Sequence, residues 1–269
     1  MNLIILDTIK AIVLGIVEGI TEFLPISSTG HLIIVNQFVS FDKEFTILFD
    51  IVIQLGAILA VLVYFRKKLW PFTNDVSKNK EIFSIWQKTI VGVMPVVFFG
   101  ALFGSFIEKK LFNPWVVATA LLVGGLIILI IERKNQLGKI ISINNLSFKT
   151  AFFVGLFQCL SMIPGTSRSA ATIMGAIIVG ASRIVATEFS FFLAIPTMFA
   201  AAVYSLLKYQ STLSYQQFFI LFVGFFVSFI SAFAVVKFLI NYVQKNNFKF
   251  FGYYRIILGM IIIIYFFVK

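Results

Sequence analysis

The sequence predicts an all-α, polytopic membrane protein. This prediction depends on the composition, on long apolar stretches and on two polar interruptions within such stretches. The chain has 269 residues, of which 60% are hydrophobic and only 12% charged, and its mean hydropathy is +1.01. Soluble domains carry about 25% charged and about 45–50% apolar residues. The polar residues are therefore too few to cover a water-facing surface, which excludes a soluble globular enzyme, a disordered protein and a DNA-binding domain.

The charged and metal-ligating residues exclude further classes of protein. The net charge of +11 indicates basic loops that face anionic lipid, with no nucleic-acid partner. The single cysteine, Cys159, lies in an apolar stretch, so neither a disulfide nor a thiolate metal site is expected. The single histidine, His31, excludes a multi-histidine zinc centre. No cleaved leader is expected, because Lys10 interrupts the first apolar run.

Six apolar stretches are long enough to be membrane-spanning helices. A helix needs about 20 apolar residues to cross the hydrocarbon core of about 30 Å. The stretches that approach this length are residues 45–65, 89–107, 115–131, 187–207, 218–242 and 253–268. We expect each of them to span the membrane once.

Two further apolar regions, residues 4–39 and 152–181, are each broken near the middle by a small-polar cluster, PISSTGH and PGTSRSA. After the breaks, only about ten apolar residues (31–41) and about twelve (170–181) follow, which at 1.5 Å per residue cover half a bilayer. The two regions are therefore predicted to be re-entrant hairpins whose irregular tips lie inside the protein. A broken, full-length spanning helix is the alternative.

The distribution of Lys and Arg supports one topology. If both termini lie outside, the inside segments are 66–88, 132–149, 182–186 and 243–255. Fourteen Lys and Arg residues then lie inside and five outside. This bias agrees with the positive-inside rule.

An internal repeat relates the two broken regions at a shift of 140 residues. The alignment pairs Gly15 with Gly155, Glu18 with Gln158, Thr21 with Ser161, Ser27 with Ser167, and Thr29 with Ser169. Three spanning helices separate the repeats, and this odd number inverts the second half relative to the first. We therefore predict a single membrane domain, 1–269, built as an inverted repeat of halves 1–147 and 148–269, each with one hairpin and three spanning helices.

An acidic pair precedes the first break. Glu18 and Glu22 are four residues apart and thus share one helical face, with Cβ atoms about 5–6 Å apart. Two like charges this close in a low dielectric repel unless one takes a proton or a cation binds between them. Pro25 is expected to end the helix.

Each break carries a polar tip followed by a new helix. The first tip consists of Ser27, Ser28, Thr29 and Gly30, after which His31 opens the return helix. The second tip follows Pro164-Gly165 and consists of Thr166, Ser167, Arg168 and Ser169, before a helix that starts near Ala170. Helix N-termini offer unpaired N–H groups to phosphate, and arginine binds phosphate through two parallel hydrogen bonds. The pattern predicts a phosphate-sized hollow with Arg168 on one wall and the acidic pair, able to hold a hard divalent ion, on the other.

Purely structural roles are the alternative for each polar residue. Glu18 and Glu22 can form a buried pair with Arg168, and the hydroxyls of the first tip can act as helix caps alone. His31 can be a hydrogen-bonded turn residue. We expect Asp50 to cap the helix of residues 45–65. Glu188 is expected to begin a spanning helix without a catalytic role.

The stretches EGITEFLPISSTGH (18–31) and PGTSRS (164–169) resemble the two signature motifs of the undecaprenyl-diphosphatase family, the bacitracin-resistance proteins. One departure is Ala170, where the family usually has glycine. The resemblance implies hydrolysis of the diphosphate of an undecaprenyl carrier lipid at the outer face of the bacterial inner membrane, with a divalent cation. The product is recycled for peptidoglycan and other wall polymers. The family's functional acids map to Glu18 and Glu22, its tip residues to Ser28 and His31, and its phosphate-binding arginine to Arg168.

Our leading hypothesis is a lipid diphosphatase assisted by Mg²⁺ or Ca²⁺ bound to Glu18 and Glu22. The predicted catalytic residues are Glu22, Ser28, His31 and Arg168, and the predicted substrate-binding residues are Ser27, Thr29, Gly30, Thr166, Ser167 and Ser169. Either Ser28 attacks with His31 as its base, or water attacks after activation by Glu22 or His31. The expected partners are a polyprenyl diphosphate lipid and membrane lipid, and a homo-oligomer is compatible with the sequence.

The competing hypothesis is a transporter or flippase of undecaprenyl phosphate. An inverted repeat with broken helices is a transporter-like design. Carboxylates beside the phosphate site favour the enzyme, because anion transport alone has little use for negative charge. The prenyl tail is expected in a groove between spanning helices, whose residues the sequence does not assign.

Overall fold

The long apolar stretches fold as helices. The computed structural model describes residues 2–133, 138–208 and 212–269, and no β-strand forms within these ranges. Among the described residues, six helices are long and apolar enough to cross a membrane. They are α3 (Lys43–Tyr64), α5 (Val76–Leu111), α6 (Pro114–Arg133), α9 (Arg183–Lys208), α10 (Tyr215–Val243) and α11 (Lys249–Val268). The prediction of an all-α, polytopic membrane protein is confirmed.

Both predicted breaks are present. The first break, residues 22–27, separates α1 (Asn2–Thr21) from α2 (Ser28–Val35), and the second, residues 159–167, separates α7 (Phe148–Gln158) from α8 (Arg168–Ile178). The helices after the breaks are short, with 8 and 11 residues, or roughly 12 and 16 Å. In contrast, α1 has 20 residues and reaches the length of a spanning helix, so the two arms of the first hairpin are unequal.

Several helix boundaries differ from the prediction because side chains cap the helices earlier. Helix α2 begins at Ser28, not at His31, because the Ser27 side chain accepts a hydrogen bond from the Gly30 N–H. Helix α5 follows a short helix α4 (Arg66–Leu69) and begins at Val76, because Asp75 caps it.

The expectation that Asp50 caps a helix is wrong. Asp42 caps α3 by accepting a hydrogen bond from the Phe45 N–H, and Asp50 lies two turns inside the helix. Glu188 lies in the second turn of α9 and pairs with Lys68 at 2.7 Å.

Two of the cations counted in the inside segments are buried within spanning-capable helices. Arg255 lies inside α11 and is 0% exposed, and Lys88 lies inside α5 and donates to the carbonyls of Ile143 and Asn144. Residues 134–137 of the predicted inside segment 132–149 lie outside the described residues, as does the side chain of Lys208, which was counted outside. The orientation of the chain and the inverted relation of its halves stay predictions.

Close helix crossings hold the bundle together around the breaks. Helix α10 packs against α1 and α3, α6 packs against α11, and α5 packs against α7. A Cβ on Gly56 of α3 would lie 2.3 Å from the carbonyl oxygen of Phe225 in α10, so only glycine permits this approach. The outer faces carry exposed aromatic residues such as Phe222, which is 67% exposed. Both breaks reach into the bundle, where Phe23 of the first and Pro164 and Gly165 of the second are buried.

Candidate active site

The two breaks share an unusual backbone conformation. Ser27 and Ser167 cap α2 and α8, and they are the two non-glycine residues with positive φ in the described part of the chain, at 73° and 68°. Their hydroxyls accept hydrogen bonds from Gly30 N and Ala170 N, both at 3.2 Å. Such a conformation costs about 1–3 kcal/mol and occurs most often at functional sites. The two serines are also paired by the sequence repeat, so corresponding positions carry the same strain.

Direct contacts join the first break to α8. The hydroxyl of Ser169 donates to the carbonyl oxygen of Leu24 at 2.8 Å. The guanidinium of Arg168 forms an ion pair with Glu22, with 3.3 Å between Nη2 and Oε1. The chain thus brings together two segments that lie about 140 residues apart in sequence.

The contact between Glu22 and Arg168 differs from the prediction. The sequence led us to expect them on opposite walls of a hollow, but they touch, and both side chains are only 9% exposed. Arg168 also donates from Nη1 to the carbonyl oxygen of Ser190 at 3.0 Å and lies over the ring of Phe23. At 3.3 Å the ion pair is longer than a strong charge-assisted hydrogen bond, so an incoming anion can compete for Nη2.

Ser28 is bonded to the same carboxylate. Its hydroxyl donates to Oε2 of Glu22 at 2.7 Å, while Oε1 accepts from Arg168. Glu22 therefore links the hydroxyl of Ser28 to the guanidinium of Arg168, with one carboxylate oxygen bonded to each.

A polar cavity of about 170 Å³ lies beside this trio. The predicted residues that line it are Glu22, Ser27, Ser28, Thr29, Ser167 and Arg168. Sequence reasoning missed the lining residues Gln54, Ser161 and Thr197. The sequence feature that could have identified them is a polar side chain within an apolar stretch. For Thr197, the preceding Pro196 inside a helix is a second such feature.

Three predicted substrate-binding residues do not line this cavity. Thr166 faces a different, apolar groove of about 440 Å³ between α6 and the second break, together with Trp115 and Leu160. Gly30 is buried at the start of α2, and the hydroxyl of Ser169 is used in the contact with Leu24.

His31 contacts neither Ser28 nor Glu22 through a hydrogen bond in the described structure. Its Nδ1 donates to the carbonyl oxygen of Ser27, and its Nε2 lies 2.7 Å from the hydroxyl of Tyr254, on which the ring also stacks. A carbonyl can only accept, so Nδ1 carries a proton and Nε2 of the neutral ring accepts from Tyr254. A hydrogen bond between Ser28 and His31 is therefore not observed, and the hydroxyl of Ser28 donates to Glu22 instead.

Glu18 is the least satisfied group near the site. It is 0% exposed, and neither of its carboxylate oxygens accepts a hydrogen bond. The carboxylate of Glu22 is a neighbouring like charge. A buried carboxylate without partners is costly unless a proton or a cation neutralises it. Within the described residues, no group of three or more His, Cys, Asp or Glu side chains could hold a metal ion.

Comparison with known proteins identifies the family. The family model of the bacitracin resistance protein BacA matches residues 11–261. The chain belongs to the BacA family. Three relatives, each named undecaprenyl-diphosphatase, align with nearly their whole length. They come from Lachnoclostridium phytofermentans (50% identical, 97% of both chains), Limosilactobacillus fermentum (49%, 97% of this chain and 98% of the relative) and Clostridioides difficile (47%, 98% and 97%; named undecaprenyl-diphosphatase 1).

Membership of the BacA family agrees with the architecture. The matched region contains five of the six spanning-capable helices completely and most of the sixth, α11, together with both breaks. The protein is a multi-pass membrane protein of the BacA family, and the resemblance to the undecaprenyl-diphosphatases is confirmed.

Proposed function

We propose that this protein hydrolyses undecaprenyl diphosphate to undecaprenyl phosphate and inorganic phosphate. Relatives with this enzymatic name are 47–50% identical over nearly the whole chain. The observation that carries the proposal is the hydrogen-bonded trio of Ser28, Glu22 and Arg168 beside a hydroxyl-lined cavity. The names of the relatives do not favour the alternative, a transporter or flippase.

The diphosphate enters with its negative charge toward Arg168 and the N-termini of α2 and α8. Nη2 of Arg168 exchanges Glu22 for a phosphate oxygen, while Nη1 stays on the carbonyl of Ser190 and fixes the plane of the guanidinium. The N–H groups at the two helix starts and the lining hydroxyls stabilise the charge that develops on the phosphoryl oxygens.

Ser28 is the proposed nucleophile, and Glu22 is its base. The hydroxyl oxygen bonds to the terminal phosphorus and gives its proton to Oε2 of Glu22. The bond from that phosphorus to the bridging oxygen breaks, and undecaprenyl phosphate leaves with this proton. Water then attacks the phosphoserine, with its proton passing through Glu22 to the oxygen of Ser28. The 2.7 Å contact between Ser28 and Glu22 supports this route over one in which water attacks first.

We further propose that Mg²⁺ or Ca²⁺ is held by Glu18 and Glu22. The fit is supported by the two orphaned oxygens of Glu18, which lie buried beside a second carboxylate. Magnesium is bound in many phosphate-processing sites by one or two carboxylates together with the substrate phosphates. When bound, the ion supplies positive charge that stabilises the transition state.

The proposed location is the bacterial inner membrane, with the site open to the outside and the product returned to cell-wall synthesis. The excess of Lys and Arg in the segments assigned to the inside supports this orientation. The proposed partners are the lipid substrate and the surrounding membrane lipid. The exposed aromatic faces support the latter.

The test is phosphate release from undecaprenyl diphosphate by the purified protein in detergent, with and without a chelator. Detergent removes the two membrane sides, so a pure transporter releases no phosphate. Release that disappears in Arg168→Ala and Glu22→Gln supports the hydrolase. A wild-type protein that is folded, metal-supplied and inactive would refute it.

A further inference from the structure

A single buried arginine touches both breaks. Arg255 lies in α11 and is 0% exposed. Its Nη1 donates to the carbonyl oxygen of Pro25 at 3.4 Å, and its Nη2 donates to the carbonyl oxygen of Gly165 at 3.1 Å. Nη2 also donates to the carbonyl oxygen of Ala120 in α6 at 3.1 Å. One side chain thus connects the first break, the second break and a spanning helix.

The two break carbonyls occupy matching positions. Pro25 and Gly165 are separated by 140 residues, the shift of the sequence repeat, and each lies two residues before a strained cap serine, Ser27 or Ser167. Arg255 therefore contacts the same point of both repeats. Each of these two hydrogen bonds holds the backbone two residues before a cap serine.

Burial of the Arg255 charge is unfavourable, and no carboxylate is paired with it in the described part of the chain. None of the ion pairs in the described part of the chain includes it, and its Nε donates no hydrogen bond. A buried charge that lacks a counter-charge is destabilising relative to a hydrophobic side chain of similar size. The backbone carbonyls that it reaches, and not a counter-charge, therefore account for an arginine here.

Helix α6 leaves room for the guanidinium. A Cβ on Gly124 would lie 2.3 Å from Nη2 of Arg255. Gly259 lies at the same crossing of α6 and α11, but the atoms nearest to its Cβ would belong to Ala118 and Leu122, at 3.0 Å, and not to Arg255. Substitutions at these two glycines therefore distinguish a displacement of Arg255 from a change in the packing of α6 against α11.

We propose that Arg255 is a positioning residue that holds the two breaks at a fixed separation, so that Ser28 from one and Arg168 from the other reach the same phosphate. This inference rests on the proposed function. A displacement of about 1 Å between reacting groups can cost about 100-fold in rate. Arg255 contacts backbone carbonyls and not the cavity, so its effect is expected in kcat more than in binding.

The experiment compares Arg255→Met, Arg255→Lys, Gly124→Ala and Gly259→Ala in detergent. The measurements are kcat and KM for undecaprenyl diphosphate, the Kd of inorganic pyrophosphate and the unfolding temperature. We expect Arg255→Met to lower kcat by about 100-fold while KM and the pyrophosphate Kd rise by about fivefold or less. Arg255→Lys keeps the charge and part of the contacts, so it should restore about tenfold of that loss.

Gly124→Ala provides a test that keeps Arg255 in the chain. We expect it to lower kcat by about tenfold or more, whereas Gly259→Ala lowers the unfolding temperature with kcat within about twofold of wild type. The proposal is wrong if folded Arg255→Met keeps kcat within threefold. It is equally wrong if Gly259→Ala lowers kcat as much as Gly124→Ala does. If Arg255→Met does not fold, this comparison of the two glycine variants decides the outcome. An inactive wild-type protein refutes the hydrolase and, with it, the positioning role that rests on it, whereas an active wild-type protein beside an unimpaired, folded Arg255→Met refutes the positioning role alone.

Discussion

Replacing Arg168 by lysine tests whether the guanidinium, and not positive charge alone, binds the diphosphate. Arg168 serves two partners at once, with Nη1 on the carbonyl of Ser190 and Nη2 on Glu22. In the proposed complex Nη2 moves to a phosphate oxygen and Nη1 stays. A lysine ammonium is a point charge on a flexible stem and cannot keep both hydrogen bonds in one fixed plane.

The expected magnitude depends on how many hydrogen bonds each variant removes. A hydrogen bond to a charged group contributes about 1.5–3 kcal/mol, and a free-energy difference of about 1.4 kcal/mol corresponds to a tenfold change in kcat/KM. Arg168→Lys removes one such bond, so kcat/KM should fall about 10- to 150-fold. Arg168→Ala removes both bonds and leaves Glu22 buried without its cation, so kcat/KM should fall by about 1000-fold or more.

The assay is the initial rate of phosphate release in detergent, normalised to folded protein. Arg183→Lys is the matched control, because Arg183 is also paired with a glutamate, Glu132, but does not line the cavity. It should leave kcat/KM within about twofold of wild type. The reasoning is refuted if Arg168→Lys keeps kcat/KM within threefold, or if the control variant is impaired as much as the test variant.

Three further predictions concern the nucleophile, the cation and the helix crossing. Ser28→Ala should abolish turnover with the pyrophosphate Kd nearly unchanged, because it removes the attacking oxygen, and substantial remaining hydrolysis would exclude the phosphoserine route. Glu18→Gln should raise the Mg²⁺ concentration for half-maximal rate by about tenfold or more, because one of two carboxylate ligands is removed; an unchanged value contradicts the proposed cation site. Gly56→Ala should lower the unfolding temperature, since its Cβ would lie 2.3 Å from the carbonyl oxygen of Phe225, while Gly100→Ala, which meets nothing within 4 Å, should not.

The helices and breaks were predictable because their signals are local. Stretches of about 20 apolar residues identified the six spanning-capable helices, and proline or glycine followed by hydroxyl residues identified both breaks. The start of α2 was placed three residues too late because the capping role of Ser27 was left open. A cap depends on one hydrogen bond, which hydropathy does not report.

The sequence by itself determined that this chain is a helical membrane protein, where its helices break, and which family it belongs to. Only the tertiary structure decided that Glu22 contacts Arg168, that His31 is bonded to Tyr254, and that Arg255 is a buried bridge between the two breaks. The physical reason is the same in each case. A helix depends on neighbours within a few residues, whereas the partner of a buried charge is chosen among groups that packing brings together, here from 90 to 230 residues away.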